Sequence, residues 1–360
     1  MIKIEKLPGL LILIALFANN KILALAMLVT IVLSIIIDNK NIKYLPLLIF
    51  GFALMSASIL VLDSDIRYIL PFIAIFFIYQ MKIIDDKKSD NNFGGGVILL
   101  WAAIILLIFY AELIYGPDLY KTYISYYDDE ELLNFSYNIE DISQFRSGVI
   151  YHNPNQLAYI ILMIFLFNKS IGINKRLLIP MMAVFSLITQ SRMLVFFFLV
   201  SICGLFIDKN IKLSYKIIFA ILILSILYYF DFFLVESRAL STSDNYLEHV
   251  LFKIFLLENY YSLDSYQLIF GSGYNRVIHF DADTGSLIYY YGIILSPLIF
   301  LGIMVGIYKK YGLLLSIGFL LATTYGTMYT NTRMVVLLGA ISVGSQIMRK
   351  GNRTLERFYG

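Results

Sequence analysis

The run Val97-Ile98-Leu99-Leu100-Trp101-Ala102-Ala103-Ile104-Ile105-Leu106-Leu107-Ile108-Phe109-Tyr110-Ala111 carries no charge and no polar alternation. Its length favours a helix over a strand, because strands buried on both faces are short. It sits inside a longer apolar segment, 93–115, which suffices to cross a bilayer at about 20 residues per span. The rest of the chain repeats the theme. Of its 360 residues, 59% are hydrophobic and 15% charged, and mean hydropathy is +0.78. Soluble domains carry about 25% charge. The composition therefore specifies an all-α integral membrane protein, since helices satisfy their own backbone groups in lipid. A single cysteine, Cys203, lies in an apolar run, where core packing is the expected role.

Eleven further apolar segments can be marked: 7–18, 22–37, 44–62, 68–84, 149–168, 177–190, 193–207, 217–235, 285–306, 312–330 and 333–348. The twelve together form one polytopic domain over 1–360. No small-residue cleavage site ends the first run, so that run is expected to stay. With the N-terminus inside and the spans alternating, 19 of the 28 basic residues fall on the inner side, as the positive-inside rule requires. Both termini are then cytoplasmic. Fusing 7–37 into one span would put Lys40 and Lys43 outside, so two spans are expected there. The outer basic residues include six arginines: Arg67, Arg146, Arg192, Arg238, Arg276 and Arg333. Arginine binds phosphate or carboxylate with a rigid, always-charged fork. The competing reading is that these side chains snorkel or cap helix ends.

Two outer loops are long, at about 116–153 and 231–284. The first has seven acidic residues against Lys121 and Arg146, and the second has eight against Arg238, Lys253 and Arg276. This negative balance excludes nucleic acid as a partner. Any anion must be held by specific arginines. In the second loop Leu247, Val250, Leu251 and Ile254 share one helical face, which fits a helix on the membrane surface or packed on the bundle.

Three constellations could carry chemistry. In Arg146-Ser147-Gly148-Val149-Ile150-Tyr151-His152-Asn153-Pro154-Asn155, Asn153 suits an N-cap and Pro154 the first helical turn. Arg146, His152 and Asn155 then cluster at the positive end of a helix dipole, where an anion binds favourably. In Thr189-Gln190-Ser191-Arg192 the flanking runs are short, about 22 Å each at 1.5 Å per residue. The turn should be recessed, with Arg192 at the floor of a polar pit, since an intramembrane charge must be paired or wet. The third is Gly271-Ser272-Gly273-Tyr274-Asn275-Arg276-Val277-Ile278-His279-Phe280-Asp281-Ala282-Asp283-Thr284-Gly285. Its glycines permit a tight turn, and His279, Asp281 and Asp283 are residue types that take a proton from a hydroxyl. No ligand-spaced histidine pair, phosphate loop, dinucleotide fingerprint or serine elbow is present, so neither a metal nor a cofactor is expected.

The order of these motifs resembles the O-antigen and capsule polymerases (Wzy-type) and the related O-antigen ligases of bacterial envelopes. The residues that carry the resemblance are Arg146-Ser147-Gly148 with Asn153 to Ala158, Ser191-Arg192, Phe270 to Tyr274, and Asp283-Thr284-Gly285 to Tyr291-Gly292-Ile293. It implies a GT-C-like membrane glycosyltransferase of the bacterial cytoplasmic (inner) membrane. Such an enzyme works on the outer face, extends glycans on undecaprenyl pyrophosphate, and needs no nucleotide sugar and no metal. A chain-length regulator and a flippase are the implied partners. Arg276 and Gly292 match the polymerases' second-loop spacing of sixteen residues. The first-loop spacing fails, because position 157 is Leu157 where a glycine belongs. The ligases carry a histidine eleven residues before that glycine, and here Asp281 stands there, which favours polymerase over ligase. On this reading Asp283 by preference, or else Asp281 or His279, acts as base and Arg276 orients substrate, while Arg146, His152, Asn153, Asn155, Arg192 and Arg238 bind it. The rival outside this family is a lipid-linked glycan transporter or flippase, which would place ionisable groups near the bilayer midplane.

Overall fold

Uncharged runs with no room for loops become helices, and the computed structural model is helical throughout its described residues, with no strand among them. Those residues are 7–62, 64–84, 94–115, 154–189, 191, 194–195, 197–201, 214, 217, 220–221, 263–273, 283–325 and 328–359. The main helices are α1 (Leu7–Phe17), α2 (Asn20–Ile37), α3 (Leu45–Leu62), α4 (Leu70–Gln80), α5 (Gly95–Tyr115), α6 (Pro154–Leu166), α7 (Lys175–Thr189), α8 (Asp283–Tyr311), α9 (Leu313–Tyr325) and α10 (Thr332–Tyr359). Ten of the twelve expected segments coincide with them. The other two, 193–207 with Cys203 and 217–235, fall mainly outside the described residues, as does the amphipathic stretch from Leu247 to Ile254.

Three stretches are long and apolar enough to cross a membrane on their own: Ile42–Leu62, Gly95–Glu112 and Gly285–Tyr311. Shorter apolar helices, among them Leu7–Phe17, Leu177–Thr189 and Leu313–Thr323, accompany them. The outward faces match a hydrocarbon solvent. Leu60 is 86% exposed and Leu314 83%, an arrangement that a water-soluble fold avoids over contiguous surfaces. The expected break between the first two spans is present. Asn19 separates α1 from α2 and accepts from the Ile22 N–H at 3.1 Å, which satisfies a donor that the helix start leaves orphaned.

Two compact units are distinguished: residues Met1–Trp101, Leu166–Ile173 and Leu251–Gly360, and residues Ala102–Phe165 and Asn174–Val250. In the first, α4 is the central helix and is buried from Leu70 to Ile78. It packs against α3, α8 and α10, and α10 also runs along α1 and α2. Gly339 of α10 permits the closest approach, because a Cβ there would sit 2.8 Å from the Phe77 ring and from Thr30 Oγ1. Polar side chains join these helices inside the bundle. Gln346 Nε2 donates to Ser34 Oγ at 2.9 Å and to Ser342 Oγ at 3.2 Å. Ser34 Oγ in turn donates to Gln80 Oε1. Such bonds hold helices together where lipid removes the hydrophobic drive between them.

Residues that the charge pattern assigns to one side meet at one end of this unit. At one end Lys82 lies 3.8 Å from Asp38, Ile84 N–H donates to Lys169 O at 3.0 Å, and Lys310 Nζ donates to Ile78 O and, at 2.7 Å, to Met81 O. Lys310 thereby caps the last carbonyls of α4. α4 itself ends at Gln80, within the apolar segment 68–84. At the other end Arg333, 5% exposed, donates to Ala15 O and Leu16 O at 3.0 Å and to Ala18 O at 2.8 Å.

In the second unit α6 starts at Pro154, where the sequence places it, and is buried from Leu157 to Ile164. α7 carries Pro180 in its interior.

Candidate functional site

The site begins with a helix that does not run through. α8 is interrupted at Gly292, whose φ of 69° and ψ of 177° are not helical. This backbone region is open to glycine almost alone. Breaking a helix frees carbonyls, and in an apolar setting each needs a donor. The Gly271-Ser272-Gly273 turn supplies them. Tyr289 O accepts from Ser272 N–H and from Ser272 Oγ, each at 3.0 Å, and Tyr290 O accepts from Gly273 N–H at 3.3 Å. The two backbones lie so close that side chains are excluded on both. A Cβ at position 271 would collide with the Tyr290 carbonyl, and one at 292 with the Ile269 carbonyl and the Gly271 nitrogen. The glycines that carry the resemblance in two separate parts of the sequence therefore belong to one structure.

Local chemistry fixes that turn from both sides. The preceding helix, Ser265–Phe270, has a capping box: Asp264 accepts from Gln267 N–H at 2.7 Å and Gln267 Oε1 accepts from Asp264 N–H at 3.2 Å. Gly271 N–H closes it on Gln267 O. Gly273, with φ of 74°, packs on Leu62 and Ser64 at the end of α3. Beside the break, Tyr291 donates its hydroxyl to Tyr68 O, and the two rings lie 4.3 Å apart.

Asp283 stands at the start of α8, before the apolar stretch Gly285–Tyr311, and is fully buried. Its Oδ2 accepts from Met328 N–H at 2.5 Å and Tyr329 N–H at 3.0 Å. Its Oδ1 accepts from Thr330 N–H at 3.1 Å and Thr330 Oγ1 at 2.5 Å. Burial pushes its pKa up to about 7, against the pull of the four donors. Each oxygen already has two donors, so the carboxylate fastens the first turn of α8 to the turn between α9 and α10. Asn331 completes that turn as the N-cap of α10, accepting from Arg333 N–H at 2.9 Å.

The structure thus places Asp283 in full, and Asn155 by its backbone in the first turn of α6. Arg146, His152, Asn153, Arg192, Arg238, Arg276, His279 and Asp281 lie outside the described residues. Thr189 and Ser191, which flank the expected recessed turn, are both buried, and Ser191 N–H donates to Thr189 Oγ1 at 3.3 Å. Of the six outer arginines, the two described ones have structural partners. Arg333 caps α1, and Arg67 lies 3.3 Å from Asp65, which itself caps the turn Ile66–Ile69. Sequence reasoning missed Thr330 and the backbone of Met328 and Tyr329. The signal available was Thr330-Asn331-Thr332, a turn-forming cluster between two apolar runs. Among the described residues no group of three metal-ligating side chains occurs. No family model, curated protein or solved structure matches the chain.

Proposed function

We propose that this chain is a membrane glycan polymerase. It extends oligosaccharide repeat units carried on undecaprenyl pyrophosphate at the outer face of the bacterial cytoplasmic membrane, for O-antigen, capsule or exopolysaccharide. The observation that carries this reading is the clamp of Gly271-Ser272-Gly273 on the helix break at Gly292. It gives a physical reason for both glycine motifs of the resemblance. It also fixes Gly273 at the end of α3, while Asp283 is fixed by the α9–α10 turn. Gly273 and Asp283, the residues that bound the stretch with Arg276, His279 and Asp281 in the sequence, are each held by the bundle.

In the proposed reaction a hydroxyl of the acceptor glycan attacks the anomeric carbon of the donor. A new glycosidic bond forms, the bond to the pyrophosphate oxygen breaks, and undecaprenyl pyrophosphate leaves. His279 or Asp281 takes the hydroxyl proton. Arg192 and Arg146 hold the pyrophosphate and stabilise the charge that develops on it, and Arg276 orients the reactants. Asp283, saturated by its four donors, serves as a positioning residue. The flippase alternative is disfavoured by the described ionisable groups, which sit at or near helix ends: Lys43, Asp65, Glu112, Asp283, Lys310 and Arg333 among them.

The test is glycan size in a deletion strain complemented with wild type or Arg192→Ala. Loss of the wild-type gene should leave single repeat units attached to their acceptor, and Arg192→Ala should accumulate in the membrane without restoring ladders. Complete absence of attached glycan would indicate a ligase instead. Normal ladders from Arg192→Ala would refute the arginine's role.

A further inference from the structure

An apolar groove of about 290 Å³ lies on the outside of the first unit. Leu47 and Phe50 of α3, Phe72 and Tyr79 of α4, and Leu298 and Gly302 of α8 line it. Gly302 leaves α8 without a side chain at the groove floor, where Ile75 of α4 approaches. From Leu295 to Gly302 the groove follows α8 for roughly 10 Å at 1.5 Å per residue. It opens outward, since Phe50 is 50% and Leu298 62% exposed. In a bilayer such a slot faces hydrocarbon, so its occupant is a lipid chain, and the question is which lipid.

The lower end of the groove answers it. The rings of Tyr44 and Tyr79 meet there at 5.6 Å, and Lys43 Nζ lies over the Tyr44 ring, 4.7 Å from its centre. Lys310 and Lys82 stand at the same end of α4. Lys310 is committed to the carbonyls of α4, and Lys82 has Asp38 beside it. Lys43 is exposed and has no ion pair among the described residues. A cation stacked at the mouth of an apolar slot, with further lysines behind it, complements a lipid that carries net negative charge. The lysine-rich end is also the cytoplasmic end under the positive-inside rule.

We propose that this groove is a binding site for an anionic phospholipid of the cytoplasmic leaflet, with one acyl chain along α8 between α3 and α4 and its phosphate at Lys43. None of its lining residues belongs to the segments proposed for catalysis, and its test needs no glycan. Purified full-length protein is exchanged into nanodiscs of phosphatidylglycerol and phosphatidylethanolamine at a 3:7 ratio, then released and weighed by native mass spectrometry with its retained lipid. Wild type should enrich phosphatidylglycerol about fivefold over the bulk ratio, the equivalent of about 1 kcal/mol for one lysine at an anionic lipid surface. Lys43→Gln should return the ratio to bulk. Leu298→Trp, which fills the slot from an exposed position, should lower all retained lipid. Lys21→Gln, an exposed lysine at the opposite end, should behave as wild type. Four results would overturn the proposal: no enrichment in wild type, full enrichment in Lys43→Gln, an equal loss in Lys21→Gln, or a polyprenyl phosphate as the retained species.

Discussion

Replacing Gly292 by alanine tests the helix break directly, because other glycines of the same chain provide graded controls. At Gly292 two costs combine. Backbone with φ of 69° and ψ of 177° is strained for any residue with a Cβ by about 1–3 kcal/mol. The new methyl also meets the Ile269 carbonyl and the Gly271 nitrogen. Those atoms are backbone and cannot rotate aside, so overpacking adds about 1–3 kcal/mol. Gly312 has a φ of 85° but nothing within 4 Å of its would-be Cβ, so Gly312→Ala should show only a conformational cost of about 1–2 kcal/mol. Gly96 is helical with open space around it, so Gly96→Ala should be neutral or stabilising by up to about 1 kcal/mol. At about 2–4 °C per kcal/mol, Gly292→Ala should lower the apparent Tm in detergent by roughly 10 °C, Gly312→Ala by a few degrees, and Gly96→Ala not at all. Chain extension should fall with Gly292→Ala alone. A Tm for Gly292→Ala no lower than that of Gly312→Ala would refute the clamp between the 271–273 turn and α8.

Four further substitutions, at three residues, probe the bonds that fasten the end of the bundle around Asp283 and Arg333. Asp283→Asn keeps the shape but turns one acceptor oxygen into an NH₂ that faces backbone N–H donors; with each unsatisfied donor costing about 1–3 kcal/mol, a loss of about 2–4 kcal/mol is expected in thermal unfolding. Thr330→Val removes one of the four donors and should cost about 1 kcal/mol, so equal effects from the two would contradict the proposed saturation of the carboxylate. Arg333→Met removes three bonds to the carbonyls of α1 and should cost about 2–4 kcal/mol, with proteolysis between α1 and α2 as the local readout. Arg333→Lys should recover only part of it, because a single ammonium cannot reproduce the fork.

The helices were legible in the sequence because apolar runs leave few alternatives in lipid, and ten of the twelve marked segments proved helical. The separation of α1 from α2 followed from two lysines, Lys40 and Lys43, which a single fused span would have set against the charge pattern of the other loops. The break in α8 was not legible. Tyr289-Tyr290-Tyr291-Gly292-Ile293 reads as continuous span, and the partner that satisfies its carbonyls lies about twenty residues upstream, across a polar loop. Hydrophobicity reports where a chain can be buried and says nothing of which carbonyl meets which donor. The same limit applies to Asp283. Its residue type suits a base, and only the positions of Met328, Tyr329 and Thr330 show that both oxygens are occupied. Arg333 illustrates it a third time, since an outer arginine fits an anion site and a helix cap equally well until its partners are known.

These three cases bear on where the reactive groups must be sought. In the first unit three well-placed charges are consumed by backbone. Arg333 is held by the carbonyls that end α1, Lys310 by those that end α4, and Asp283 by the amides between α9 and α10. Each neutralises groups that a helix terminus or a tight turn would leave bare in an apolar medium. A side chain so committed cannot also bind a substrate that comes and goes without exposing its partner. For the proposed polymerase, the reactive groups are therefore sought among the remaining candidates of the sequence, in the segments 116–153 and 231–284 and at 189–192. An alanine scan of the outer arginines should divide along this line. Arg67 and Arg333 should change stability with little effect on catalysis per folded molecule. Arg146, Arg192, Arg238 and Arg276 should change catalysis with little effect on stability.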